Sequence, residues 1–300
     1  MSDKLPLITV FILLYKNDQE LDKMVETVSR QSYPLIELVI SDDGSPVFDQ
    51  EKAYHLLEQY KGRFASTTIN RNQINLGTVK HLNSIIPRAH GEIFCMLGGG
   101  DLYADKDVLK DVVQYISNAD ALLCTTKRIE WYGKKNVVLP EKRLYDIMNK
   151  EKRFLDAMCV YGNFISGAGT FYTRKLFEKY GLFDETYRLL EDYPYYLSLL
   201  FKGVNVPFFN RITVIHERGG VSDQKKHAPQ LDQDAKHLLP ELIYPNRDKL
   251  GKWAERVETF HYKFEQTNQI LQKIWECVKY PDVIIYRVIL HFLRMKGIYI

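Results

Sequence analysis

Cysteine is scarce in this chain: Cys95, Cys124, Cys159 and Cys277 lie far apart and form no CxxC pair. That spacing supports neither a zinc framework nor a disulfide scaffold. Cys95 falls in an apolar run and reads as a small core residue, and free thiols fit a reducing compartment. No run of about 18 uninterrupted apolar residues occurs, so a spanning helix is not expected. The first six residues carry no apolar segment of signal-peptide type, which makes a cytoplasmic location the expectation. The net charge is only +3, too little to make nucleic acid the main partner. Also missing are a GxGxxG after the first strand and a GxxxxGK[ST] anywhere. The two commonest phosphate-cradling loops are therefore absent, which argues against a dinucleotide-dependent dehydrogenase.

What is present is an ordinary globular composition, 45% hydrophobic, with an unusual supply of tyrosine. Three hundred residues can bury one large core, or a large domain with a smaller appendage. The first hundred residues alternate strand and helix signals. Leu7 to Leu14 (LITVFILL) is a continuous apolar run of strand length, as expected where both faces of a sheet are covered. A helical spacing follows through Leu21, Met24, Val25 and Val28. Ile36 to Ile40 reads as the second strand, Ala65 to Ile69 as the third and Ile93 to Leu97 as the fourth, with helices over Glu51 to Tyr60 and Thr78 to Ala89. This order implies right-handed crossovers and an α/β fold with a mostly parallel sheet flanked by helices. Further on, residues 105 to 119 and 191 to 201 read as helices, and 121 to 126 and 205 to 214 as strands. The segment from Tyr132 to Lys142 reads as a polar loop. A boundary near Pro240 to Pro245 divides a domain of residues 1–240 from a helical extension of residues 241–300.

In an open parallel sheet ligands bind at the carboxyl ends of the strands. Four polar clusters sit at such ends: Tyr15-Lys16-Asn17, Asp42-Asp43-Gly44-Ser45, Asn70 to Gly77, and Gly98-Gly99-Gly100-Asp101. Each alone has a plain structural explanation. Asp-Asp-Gly-Ser is ordinary turn composition, the glycine triplet could be a turn after a buried strand, and Asn75 to Thr78 could merely start a helix. Together on one rim they point to a ligand site. Aromatic stacking from Tyr15 and hydrogen bonds from Asp42 or Asp43 would suit a nucleotide base and ribose. Glu191-Asp192, opening a helix, adds an acidic pair. Acidic residues are favoured in a helix's first turn anyway, through its dipole.

Read in order, these clusters resemble the family 2 glycosyltransferases of GT-A fold. ITVFILLYKND is similar to that family's first strand and base-binding turn, LVISDDGS to its acidic second-strand motif, and NQINLGTVKHLN to its next element. GEIFCMLGGGD resembles the strand leading into the DXD region, and the segment from Gly167 to Gly203 resembles the acceptor-side stretch with its Glu-Asp motif. The resemblance spans about residues 6 to 222.

It implies an inverting transfer of a sugar from a nucleoside diphosphate, a UDP-sugar by family habit, to a hydroxyl of a glycan or lipid-linked acceptor in bacterial surface polysaccharide synthesis. Tyr15 and Asp42 or Asp43 would hold base and ribose. Arg71 or Lys80 would meet phosphate charge, Gly99, Gly100 and Asp101 would lie beside the diphosphate, and Asp192 would be the catalytic base with Glu191 supporting it. His216 and Arg218, in VIHERGGVS, match a late segment that can close over the diphosphate. The family usually carries two or three carboxylates in the DXD region, whereas this chain keeps Asp101 alone. Mn²⁺ or Mg²⁺ is implied at Asp101, with His216 helping. The thinned motif also sustains a second reading, a sugar-nucleotide-binding or scaffold protein that has lost its metal site. A nucleotidyltransferase would need a Gly-rich basic loop after the first strand, and none is present.

From Leu250 the chain reads as one or two helices broken at Pro281. Val283 to Lys296 is almost wholly apolar apart from Arg287, His291 and Arg294, which fall at i, i+4 and i+7. About 14 residues is too short to span a bilayer but suits a helix lying in its interface. Two partners fit this segment equally: the inner face of the cell membrane, or a second subunit of a homo-oligomer.

Overall fold

The computed structural model describes residues 5–131, 136–148, 151–217 and 229–295. In chain order the strands are β1 (Ile8–Leu14), β2 (Ile36–Asp42), β3 (Ser66–Arg71), β4 (Ile93–Gly98), β5 (Asp101–Tyr103), β6 (Leu123–Trp131), β7 (Asn136–Leu139), β8 (Thr170–Thr173) and β9 (Phe208–Glu217). The helices are α1 (Leu21–Ser29), α2 (Gln50–Gln59), α3 (Thr78–Ile85), α4 (Val108–Ala119), α5 (Lys142–Met148) and α6 (Glu151–Tyr161). They continue with α7 (Arg174–Tyr180), α8 (Asp192–Phe201), α9 (Pro229–Leu238), α10 (Lys252–Gln266), α11 (Ile270–Lys279) and α12 (Pro281–Met295).

The chain forms two compact units: Met1–Pro140, Ile165–Asp192 and Val206–Asp232 make the first, and Glu141–Phe164, Tyr193–Asn205 and Gln233–Ile300 the second. The first contains the sheet, in the order β3-β2-β1-β4-β8-β6-β9-β5, with β7 paired to β6. Strands β3, β2, β1 and β4 run parallel, as the first hundred residues predict. Beyond them β8 pairs antiparallel with both β4 and β6, and β9 runs parallel to β6.

Both faces of β1, β2 and β4 are covered, which explains their unbroken apolar runs, whereas the edge strand β3 is largely exposed. Ile8, Val10 and Ile12 of β1 and Ile36, Leu38 and Ile40 of β2 pack in one core with Leu21, Met24, Val25 and Val28 of α1. Buried side chains of this size each contribute about 1.5–3 kcal/mol. Elsewhere in the same unit Phe11, Phe94, Phe177, Tyr172 and Phe183 form a chain of ring contacts with centroids 5.5–6.1 Å apart. Cys95 is a core residue, as its apolar surroundings predict, and burial pushes its thiol up to about 12.

Two expectations need correction. Part of the segment read as a polar loop is strand β7, because Asn136-Val137-Val138-Leu139 pairs antiparallel with β6. The C-terminal part is three helices rather than one or two, since the chain is also interrupted between Gln266 and Ile270. In the second unit α10 and α12 share a small core of Val257, Phe260, Tyr280 and Val283. No helix among the described residues is long and apolar enough to cross a membrane.

Candidate active site

The parallel pairing is in register, so the carboxyl ends of the strands line up. Leu14, Asp42 and Arg71 stand in one row across β1, β2 and β3, and Leu13 pairs with Gly98 on the other side. Tyr15 follows at once, its ring partly exposed and Lys16 Nζ 4.9 Å from the ring centroid. Lys16 turns the chain with φ 59°, and its N–H donates to Ser45 Oγ at 2.8 Å.

Asp42 and Asp43 are both buried but are used differently. Asp42 accepts from the N–H and the hydroxyl of Ser45, at 2.9 and 2.5 Å, and Arg71 Nε stands 4.0 Å from its Oδ2. Asp43 has both oxygens filled by the loop after β3. Oδ1 accepts from Asn72 Nδ2 and Leu76 N at 2.9 and 3.0 Å, and Oδ2 from Asn75 Nδ2 and Gly77 N at 3.0 and 2.9 Å. A carboxylate so surrounded fixes a loop. Gly77 (φ 84°) is required where that loop meets the next segment, because a Cβ there would lie 2.6 Å from Arg188 Cγ and 2.8 Å from its carbonyl oxygen. Arg188 Nη2 in turn donates to Asn75 O and Oδ1, at 3.2 and 2.9 Å.

Arg188 leads along the chain to Glu191 and Asp192. A methyl group on Gly167 would stand 3.4 Å from Glu191 Oε1 and 3.6 Å from Asp192 Oδ2. Gly167 precedes β8, which runs antiparallel to β4, so it too lies at the carboxyl edge. Burial, and then the neighbouring Asp192 carboxylate, push the Glu191 carboxyl up to about 8. Part of Glu191 stays accessible, yet it is packed among enough protein atoms to lose its solvation.

Beyond Gly167 the contacts return to the start. Thr126 Oγ1 donates to Gly169 O at 2.8 Å and lies 2.5 Å from Thr213 Oγ1. Further along β9, His216 is the register partner of Asp101 on β5, with His216 Nδ1 2.6 Å from Asp101 Oδ1. Asp101 Oδ2 accepts from Gly98 N at 3.2 Å. Gly99 and Gly100 take left-handed φ values of 58° and 85°, the turn that lets Asp101 fold back on β4. The segments around residues 15, 42, 75, 191 and 101 thus lie along one edge of the sheet, linked by these hydrogen bonds, by short runs of chain and by the proximity of Gly167 to Glu191 and Asp192.

Two members of the predicted set stand apart. Lys80 lies on the exposed face of α3, and none of these contacts involves it. Arg218 lies outside the described residues. One residue was missed: His81, buried on α3, has Nε2 2.5 Å from Ser41 Oγ, which also accepts from Asn70 Nδ2 at 2.9 Å. Burial pushes this imidazole's pKa down, only partly opposed by Asp43 and Asp42, so it is neutral at pH 7. Its place on the buried face of α3, with Val79, Leu82 and Ile85, was the available signal.

Among the described residues no group of three or more His, Cys, Asp or Glu side chains could hold a metal ion. Asp101 and His216 offer one hard oxygen and one imidazole nitrogen. That pair fits a divalent cation only if substrate oxygens complete the shell.

Comparison with known proteins agrees with the architecture. The family described as Glycosyl transferase family 2 matches residues 9–181. An uncharacterized glycosyltransferase of Haemophilus influenzae is 21% identical over 304 residues, covering 96% of this chain and 91% of the relative. The crystal structure of S. aureus TarS 1–349 in complex with UDP-GlcNAc superposes with a TM-score of 0.60 at 15% identity, covering 97% of this chain and 88% of that one. The mannosyltransferase PcManGT from Pyrobaculum calidifontis, in complex with GDP-Man and Mn²⁺, gives a TM-score of 0.54 at 13% identity, covering 99% and 86%. At such identities the structural likeness establishes the GT-A fold.

Proposed function

This chain belongs to glycosyl transferase family 2, and on that premise we propose that it moves a sugar from a UDP-sugar to a hydroxyl of a glycan or lipid-linked acceptor, with inversion, in bacterial surface polysaccharide synthesis. The observation that carries this reading is the juxtaposition of Asp192 with Glu191, whose carboxyl is pushed up to about 8. Two adjacent carboxyl groups whose environments separate their proton affinities are an acid–base device. Glu191 keeps its proton at neutral pH, and Asp192 is assigned as the general base that takes the acceptor's hydroxyl proton. That oxygen then bonds to the anomeric carbon, the bond from that carbon to the diphosphate oxygen breaks, and the nucleoside diphosphate leaves with the electron pair. General-base help of this kind supplies roughly 10²–10⁴-fold.

The donor end follows the rim. Tyr15 offers a face for the base; Asp42, buried with both oxygens accepting from Ser45, is assigned to base or ribose through its remaining lone pairs. Asp43, saturated by its own loop, holds residues 72–77 in place. Arg71 or Lys80, with Arg218, is assigned to phosphate charge, Arg71 being the one beside Asp42 on the rim, and the side-chain-free Gly99 and Gly100 to close approach of the diphosphate. Asp101 and His216 would hold Mn²⁺ or Mg²⁺ together with diphosphate oxygens, and the cation would neutralise charge on the leaving group.

One observation favours a second reading, a sugar-nucleotide-binding protein without turnover. Asp101 is the lone carboxylate of its turn, and both its oxygens already have partners. The two readings separate on a panel of UDP-sugars with Mn²⁺ present, following donor binding by calorimetry and UDP release with and without oligosaccharide or lipid-linked acceptors. Release with an inverted anomeric product is the expected result. Binding without release selects the second reading, and absence of binding to any nucleotide sugar overturns both.

A further inference from the structure

The second unit carries an apolar surface that the transfer reaction does not use. On α11, Ile270, Leu271, Ile274, Trp275 and Val278 form one stripe, and on α12, Ile285, Val288, Ile289 and Phe292 form another; all nine are 50–81% exposed. Their spacings, i, i+1, i+4, i+5, i+8 and i, i+3, i+4, i+7, each describe a single helix face. The inner side of α12 is already occupied, since Val283 and the preceding Tyr280 pack on Val257 and Phe260 of α10. The outer stripes are therefore surplus to the fold's own core. Between α11 and α12 lies a groove of about 750 Å³, walled by Ile274, Val278, Ile284, Ile285 and Phe264.

Charge distinguishes the occupants such a face could take. From Ile270 onward the sequence carries Lys273, Lys279, Arg287, Arg294 and Lys296 against Glu276 and Asp282 only. Both carboxylates are engaged: Asp282 accepts two hydrogen bonds from Arg256, at 2.7 and 2.9 Å, and Glu276 Oε1 stands 3.2 Å from Lys279 Nζ. Arg287 and His291 are exposed directly beside Val288 and Phe292. A two-fold dimer through this face would set a positive patch against its own copy. An anionic lipid surface is complementary both to the apolar stripes and to the cations beside them. Neither helix, at 10 and 15 residues, reaches across a bilayer.

We infer that α11 and α12 together form an in-plane docking surface for anionic membrane lipid, with Trp275 and Phe292 inserted at headgroup depth and the groove between the helices receiving acyl chain. This inference stands apart from glycosyl transfer: either can fail without the other.

The full chain is floated with vesicles of phosphatidylcholine alone and of phosphatidylcholine with phosphatidylglycerol, and its self-association is followed by sedimentation velocity. Binding to the phosphatidylglycerol vesicles, weakened by salt, is expected. Replacing Trp275→Glu and Val288→Glu together, at sites too exposed to be needed for folding, lowers partition by about 10-fold or more. Lys273→Gln with Arg287→Gln lowers it by roughly 3–10-fold and removes much of the salt dependence. Thermal melts and nucleotide-sugar binding of the variants stay at the parent values. Equal binding to both vesicle types overturns the choice of an anionic surface. Failure to bind either, with a dimer that the glutamate variant dissociates, assigns the face to a second copy instead.

Discussion

Two glutamates drawn into the same unit, at opposite edges of the same sheet, end in opposite charge states. Glu37 stands near the amino ends of the strands, paired in register with Thr9. It accepts from Thr9 Oγ1 at 2.5 Å and His90 N at 2.8 Å, with His90 Nδ1 2.7 Å from its other oxygen. Burial acts to raise its pKa, but these donors and the nearby imidazole outweigh it and hold the carboxyl below the usual range. Glu191, at the carboxyl edge, is also stripped of solvent, but its neighbour is another carboxylate, and its pKa rises to about 8. Burial therefore prevails at Glu191, where a like charge adds to it, and is outweighed at Glu37 by the donors and the imidazole around it, so one edge carries a charged clasp and the other a held proton.

The largest effect that bears on this contrast is expected from Asp192→Asn. Transfer falls by roughly 10²–10⁴-fold while nucleotide-sugar binding, measured by calorimetry, is unchanged. The same change removes the like charge beside Glu191, so the pH at which that carboxyl ionises moves down toward its ordinary value. A variant that loses donor binding instead would break the assignment.

Next in size is Glu37→Ala. It leaves the His90 N–H and the Thr9 hydroxyl without their acceptor and costs about 3 kcal/mol in urea unfolding at pH 7. Because the folded pKa lies below 4.5, the stability Glu37 contributes is present above pH 4.5 and is lost as pH falls through the depressed value. The variant should lack this acid-side loss.

Glu191 has the opposite sign. The folded protein holds a proton that the unfolded chain releases near pH 4.5, so stability falls as pH rises from 4.5 to about 8. Glu191→Gln has no proton to lose. It should match the parent below pH 4.5 and exceed it by about 1–3 kcal/mol above pH 8, visible as a higher Tm. Parallel curves for parent and variant would show that Glu191 is not a held proton.

The smallest effect belongs to His90→Ala. The His90 side chain is 77% exposed, so its loss costs about 0.5 kcal/mol, and the backbone N–H that serves Glu37 stays in place. A much larger loss would move the weight of the clasp from the N–H to the ring.

Much of this molecule could be read in advance. The apolar runs at residues 7–14, 36–40 and 93–97 require strands covered on both faces, and each ends in residues that turn the chain, so the polar clusters had to fall at the strands' carboxyl ends. What local pattern could not supply were the pairings between distant segments. Asp101 and His216 are 115 positions apart and 2.6 Å apart in space, because β5 and β9 pair antiparallel. Nothing in the local pattern points from His81 to Ser41, because this partner lies 40 positions away in the chain.

Side-chain periodicity and turn composition along the chain were enough to say which residues are buried in the strands, where the chain turns, and that Val283 to Lys296 is rich in apolar surface. That Asp43 is consumed by its own loop, that Glu191 rather than Glu37 keeps a proton, and which stripes of α11 and α12 remain uncovered follow from contacts made across the folded chain. Each of these depends on desolvation and on donors brought in from remote segments, and such quantities exist only once the chain has closed on itself.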